Sequence, residues 1–191
     1  MSQKRLTVFT PAYNREKLLK RLYDSLVNQT CKDFVWLIVD DGSTDNTREL
    51  IKNLKALNEI KIEYIYRENG GKMRAHNDGV KNTKTPFFLC VDSDDYLVSD
   101  AVETLLTVAD NNNLEKESGL AGIISHKGAS ETKLLSGVEF KKGIERSTLY
   151  NLYLNGFKGE TTIMFLTKVI AKYPFPEIEG EKYVPEDYIY D

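Results

Sequence analysis

Four short apolar runs, each closed by a polar turn and followed by a longer amphipathic stretch, constrain the first half of this chain more than any other feature. Leu6 to Thr10 reads as a buried strand, Pro11 to Asn14 as a loop, and Arg15 to Asn28 as a helix with Leu18, Leu19, Leu22 and Leu26 on one face. Val35 to Val39 is a second strand ending in Asp40-Asp41-Gly42-Ser43, after which Thr44 or Asp45 can cap a helix running to about Leu57. Ile60 to Tyr66 is a third, followed by Gly70-Gly71 and a helix from about Lys72 to Asn82; Phe87 to Val91 is a fourth and almost wholly apolar. Strands apolar on both faces and joined by helices imply a parallel sheet covered on both sides. Right-handed crossovers then give a doubly wound α/β layer, a mostly parallel central sheet flanked by helices.

The second half is less regular. A helix from about Ser99 to Asn112 precedes a fifth strand at Leu120 to Ser125, a loop or hairpin over Gly128 to Lys142, a short helix at Ser147 to Leu154 and a strand at Thr161 to Leu166. No repeat, low-complexity tract or linker interrupts the 191 residues, so a single domain is expected. A hydrophobic fraction of 41% with 11 Tyr and 8 Phe is enough to bury a core. With 26 basic against 29 acidic residues the formal charge is −3, without the excess of cations that nucleic acid usually demands. No run of about 18 apolar residues occurs, and the apolar start at Leu6 is too short for a signal-peptide core, so a cytoplasmic location is the default. Cys31 and Cys90 lack ligand spacing and are expected as two buried thiols.

Chemistry should collect where the strands end, because open parallel sheets bind ligands outside the carboxyl ends of their strands. Asp92, Asp94 and Asp95 fall within four residues after the fourth strand; such crowding is eased by a cation, and Mg²⁺ or Mn²⁺ suits carboxylate oxygens. The alternative is that Asp94 or Asp95 merely caps the next helix. Asp40-Asp41 ends the neighbouring strand, where a carboxylate can accept from a nucleobase N–H or simply form an Asp-Gly turn. Tyr13 offers a stacking face, and Lys72 and Arg74, just after Gly70-Gly71, can meet a diphosphate near a helix N-terminus. No GxxxxGK[ST], GxGxxG or GxSxG pattern is present, and His76 and His126 are isolated, which disfavours ATPase, nicotinamide dehydrogenase and acyl-transfer triad chemistry.

Taken together, Thr10-Pro11-Ala12-Tyr13-Asn14, Val39-Asp40-Asp41-Gly42-Ser43-Thr44-Asp45, Ala75-His76-Asn77-Asp78-Gly79 and Val91-Asp92-Ser93-Asp94-Asp95 resemble the family 2 inverting glycosyltransferases over Leu6 to about Leu106. The resemblance implies the GT-A fold, a Rossmann-like fold for nucleotide-diphosphate-sugars, with residues 1–106 as the nucleotide-sugar-binding half and 107–191 as a partial acceptor-side half. It implies that Thr10, Pro11, Tyr13 and Asn14 lie on the nucleotide, Tyr13 and Asp41 on the base, Asp92 on the ribose, and Asp94 on the metal with Asp95 as rival ligand. Lys72 or Arg74 would neutralise the departing diphosphate; His76 stands where the family commonly has Arg. Val184-Pro185-Glu186-Asp187-Tyr188 resembles the family's C-terminal acidic motif, making Asp187, ahead of Glu186, the base that deprotonates the acceptor hydroxyl.

A UDP-sugar donor, a saccharide or lipid-linked acceptor and a role in surface polysaccharide or glycolipid synthesis follow from the same resemblance. The chain stops four residues past Asp187, so a C-terminally truncated piece is expected, with peripheral contact at the inner membrane face in a longer protein. Two other classes compete: a receiver-type phosphoacceptor module using Asp40 and Asp41 for Mg²⁺, and a non-catalytic sugar-nucleotide-binding scaffold on the same fold.

Overall fold

A computed structural model of the chain describes residues 3–116, 119–130, 132–135, 139–140 and 146–182. β1 (Leu6–Ala12), β2 (Phe34–Asp40), β3 (Ile62–Tyr66) and β4 (Phe87–Cys90) are parallel, connected by α1 (Leu19–Val27), α2 (Thr47–Leu57) and α3 (Lys72–Asn82). Next come α4 (Ala101–Asn111), β5 (Gly122–His126), the β6 (Gly128–Ser130) and β7 (Lys133–Leu134) hairpin, α5 (Leu149–Leu154), β8 (Thr161–Leu166) and α6 (Thr167–Ile170). The main sheet has the order β3-β2-β1-β4-β8-β5. β8 pairs antiparallel with both β4 and β5, so β5 points the same way as the first four strands and ends at the same edge.

Alternation along the strands divides the core between the two faces of the sheet. Leu6, Val8, Trp36, Ile38, Phe87 and Leu89 pack with α1, α2 and α4 through Leu22, Leu26, Ile51, Leu54 and Leu105. Phe9, Leu37, Val39 and Phe88 pack on the other face against Ala75 of α3 and Ile170 of α6. Every residue of β2 is buried, as a central strand covered on both sides requires.

Several local expectations shift. Pro11 and Ala12 are not loop residues but the last two of β1, paired with Val39 and Asp40. Proline is tolerated there because β4 pairs with β1 only as far as Phe9, so no neighbour needs an N–H from position 11. Leu18 does not join the apolar face; it precedes α1 and is exposed, and the helix buries Leu19, Leu22, Tyr23 and Leu26. At the start of α2 the Asp45 carboxylate accepts from the Thr47 N–H at 3.0 Å. Burial pushes Asp45 up, but hydrogen bonds from Thr47 and the Glu16 backbone outweigh it and hold the acid below its ordinary range. Cys31 and Cys90 are half-buried thiols rather than buried ones.

Candidate functional site

β1, β2, β3, β4 and β5 all deliver their C-terminal ends to one edge of the sheet. After β4 the chain turns at once, the Asp95 N–H donating to the Asp92 carbonyl at 3.0 Å. This turn holds the three crowded aspartates, and cations from separate elements relieve two of them. Lys72 Nζ, at the start of α3, is 2.9 Å from Asp92 Oδ1, and Lys127 Nζ, just past β5, is 3.1 Å from Asp95 Oδ2. Asp94 is exposed, and its carboxylate has no hydrogen-bond or ion-pair partner among the described residues. The turn is braced from below by Arg15, whose Nε donates to the buried Ser93 hydroxyl at 3.0 Å, and by Arg21, which donates to the Asp94 carbonyl.

On the β1 and β2 side Tyr13 is 46% exposed, a free ring face beside the crevice. Asn14 adopts φ 53° and clamps the two loops together: its Oδ1 accepts from Thr44 N–H at 2.8 Å and its own N–H donates to Ser43 Oγ at 2.9 Å. Thr10 is fully buried, its hydroxyl accepting from Trp36 Nε1 at 3.0 Å, so its side chain belongs to the sheet and not to the crevice. Asp40 is also fully buried, accepting from Ser43 N–H at 2.8 Å and Tyr64 Oη at 2.7 Å. Burial and then this bond push the Tyr64 phenol up. An acid closed in this way is not the open magnesium pocket that a receiver module needs.

Asp41 is buried and fully engaged. Its Oδ1 accepts from Arg67 Nη1 at 3.0 Å and Gly70 N–H at 2.9 Å, and its Oδ2 from Asn69 Nδ2 at 3.1 Å and Gly71 N–H at 2.7 Å. Four donors fill the four acceptor directions of a carboxylate, so a nucleobase that reaches Asp41 displaces one of them.

Lys72 and Arg74 point to different tasks. Arg74 donates to the carbonyls of Gly70 at 2.9 Å, Ile178 at 2.6 Å and Glu181 at 3.0 Å. Asn77 grips the same C-terminal segment through both the N–H and the carbonyl of Phe175, each at 2.9 Å. The segment crosses α3 so closely that a Cβ on Gly71, at φ +99°, would run into the Lys182 carbonyl. Glu186 and Asp187 lie outside the described residues. Between α3, β4, β8 and α5 opens a cavity of about 720 Å³ with Lys72, Asp92 and Lys127 in its wall and Tyr150 and Tyr153 among its aromatic lining. Buried His76 lines it too, edge-on to Phe9, Phe88 and Phe175.

The structure therefore brings Tyr13, Lys72, Asp92, Asp94 and Asp95 to one crevice edge, and uses Thr10, Asn14, Asp41 and Arg74 as ties within the frame. Arg15, Arg21, Arg67 and Lys127 were not singled out from the sequence. For Lys127 the signal was available, since a fifth strand parallel to the others sends the residue after it to the same edge. Among the described residues no three His, Cys, Asp or Glu gather as a ready metal cage. No helix among them is long and apolar enough to cross a membrane.

Comparison with known proteins gives a consistent result. The sequence model described as "Glycosyl transferase family 2" matches residues 7–171. "Glycosyltransferase GlyA" of Streptococcus pneumoniae serotype 4 is 40% identical over 101 residues, 53% of this chain and 14% of that protein. The "GalNAc(5)-diNAcBac-PP-undecaprenol beta-1,3-glucosyltransferase" of Campylobacter jejuni is 31% identical over 146 residues, 71% of this chain and 47% of that one. The crystal structure of S. aureus TarS 1-349 in complex with UDP is similar with a TM-score of 0.69 at 25% identity, over 91% of this chain and 50% of that chain. The chain thus spans half or less of the length of these relatives.

Proposed function

Because this chain belongs to glycosyl transferase family 2 and has the GT-A fold, we propose that it carries the donor half of an inverting enzyme that moves a sugar from UDP to an acceptor hydroxyl. Residues 1–106 form the nucleotide-sugar side and 107–191 contribute to the acceptor side. Tyr13 stacks on the base, the loop tied to Asp41 shapes the base pocket, and Asp92 meets the ribose. The observation that carries this reading is the Asp92–Asp95 turn, where one carboxylate, Asp94, is exposed and has no hydrogen-bond or ion-pair partner among the described residues.

That arrangement suits Mg²⁺ or Mn²⁺, which is typically held by one or two protein carboxylates together with substrate phosphates rather than by a full protein cage. Bound there, the ion would supply Lewis-acid stabilisation of the diphosphate. Lys72 adds a second positive charge at the same place. Asp187, or Glu186 beside it, accepts the proton of the acceptor hydroxyl, whose oxygen bonds to the anomeric carbon. On the opposite face the bond from that carbon to the diphosphate breaks, its electron pair passing to the phosphate oxygen.

The acceptor is a saccharide, free or lipid-linked, and the setting is surface polysaccharide or glycolipid synthesis in the cytoplasm. A lipid-linked acceptor, in line with the "PP-undecaprenol" in the C. jejuni relative's name, would bring the enzyme to the inner membrane face. The direct test is calorimetric titration of UDP and GDP with Mn²⁺ and again with EDTA. UDP binding that disappears in EDTA is expected; a folded chain that binds neither nucleotide would sink the proposal. Tyr13→Ala should weaken UDP by roughly 1–3 kcal/mol, the scale of base stacking on an aromatic ring. Its melting temperature should stay unchanged, because the ring is exposed; unchanged affinity would remove Tyr13 from the site.

A further inference from the structure

The proposed donor runs along the sheet edge in one direction. With its base at the ends of β1 and β2 and its ribose at Asp92 after β4, the strand order carries the diphosphate and sugar toward β8 and β5. β5 closes at His126, and the next residue is Lys127. Its main chain is anchored on both sides, the N–H donating to the Glu160 carbonyl at 2.9 Å and the carbonyl accepting from the Leu135 N–H at 3.0 Å. From that fixed point the ammonium group crosses the crevice to Asp95 and lines the same cavity as Lys72 and Asp92. Arg74, the other basic residue expected on the diphosphate, instead faces the carbonyls of Gly70, Ile178 and Glu181. Lys72 and Lys127 are thus the two ammonium groups among the described residues of the cavity wall.

We propose that Lys127 is a phosphate-binding residue of the donor site, exchanging its resting contact with Asp95 for oxygens of the nucleoside diphosphate. The inference rests on the donor-binding function proposed above. The exchange is feasible because the Asp95 side chain is 44% exposed and water can resolvate it when the lysine leaves. Only the flexible four-carbon stem must rotate; the backbone stays in place. At rest Lys72 pairs with Asp92 and Lys127 with Asp95. A diphosphate carries more negative charge than the one carboxylate Lys127 leaves, and so is the stronger electrostatic partner for the ammonium group.

A ladder of ligands separates phosphate binding from mere support of the acidic turn. Uridine monophosphate and UDP are titrated calorimetrically, with Mn²⁺, into wild type, Lys127→Met and Lys127→Arg, with melting curves for each; the guanosine series is used if the wild type selects GDP. Lys127→Met is expected to weaken UDP at least about tenfold while leaving the monophosphate unchanged, the effect of losing one charge-assisted contact. Lys127→Arg should stay within about threefold of wild type, and Lys127→Gln, titrated with the same two ligands, decides the matter if the methionine variant does not fold. Equal losses for the monophosphate and UDP would reduce Lys127 to a prop for the turn and overturn the inference. So would UDP binding that the methionine variant leaves intact, a result that spares the donor-binding function, whereas a wild type that binds neither diphosphate sinks both.

Discussion

Asp94→Ala is expected to abolish metal-dependent nucleotide binding, at least about 100-fold, while Asp187→Ala leaves binding near wild type and removes transfer. The first effect rests on position. Asp94 is exposed at the tip of its turn and its carboxylate makes no hydrogen bond or ion pair among the described residues, so its truncation should cost less than about 0.5 kcal/mol of stability. Losses of 10- to 100-fold are usual when even an outer partner of a metal ligand is removed, and a direct ligand should cost more. Asp187 is proposed to act only when the acceptor hydroxyl gives up its proton, so its loss should appear in turnover, by about 10²–10⁴, and not in calorimetry. The turnover measurement belongs in the longest form of the enzyme, since this chain spans half or less of its relatives. Equal loss of binding in both variants would erase the division of roles. Metal-dependent binding that survives Asp94→Ala would point to Asp95, released from Lys127, as the ligand.

Much of the donor half was legible from periodicity. α3 spans Lys72–Asn82 and β8 spans Thr161–Leu166, as the sequence predicts, because apolar spacing and turn residues mark both ends of each. The pairing of β8 was not legible. Nothing in Thr161 to Leu166 says that it runs antiparallel between β4 and β5, since its partners lie far away in the chain and its own pattern suits either direction.

The split between Lys72 and Arg74 was, in contrast, implicit in the predicted helix. Two residues apart on a helix are separated by about 200°, so both could not face the same crevice, and only tertiary contacts decided that Lys72 does. Asp41 shows the opposite limit. A strand-end carboxylate reads the same whether it awaits a ligand or binds its own loop; four donors brought from positions 67, 69, 70 and 71 made the difference.

That network makes Asp41→Ala a strongly destabilising change in the donor half. The substitution takes one of two carboxylates from Arg67, whose side chain is only 21% exposed and which keeps Asp78, and leaves the Gly70 and Gly71 N–H groups without their acceptor. Removing one partner of a buried ion pair costs about 3–5 kcal/mol, or roughly 10 °C in melting temperature for a domain of this size. Asp41→Asn should recover little, because its NH₂ would face two of the same donors. The consequences reach past the loop itself. Gly70 holds Arg74 through its carbonyl, and Gly71 passes under the carbonyl of Lys182, so the loop also seats the segment that leads toward Asp187. Asp41→Ala should therefore lower transfer more than nucleotide affinity alone accounts for. If melting is unchanged and only affinity falls, Asp41 is a base contact and the four donors are incidental; a coupled fall in stability and turnover would establish it as the joint between the two sides of the crevice.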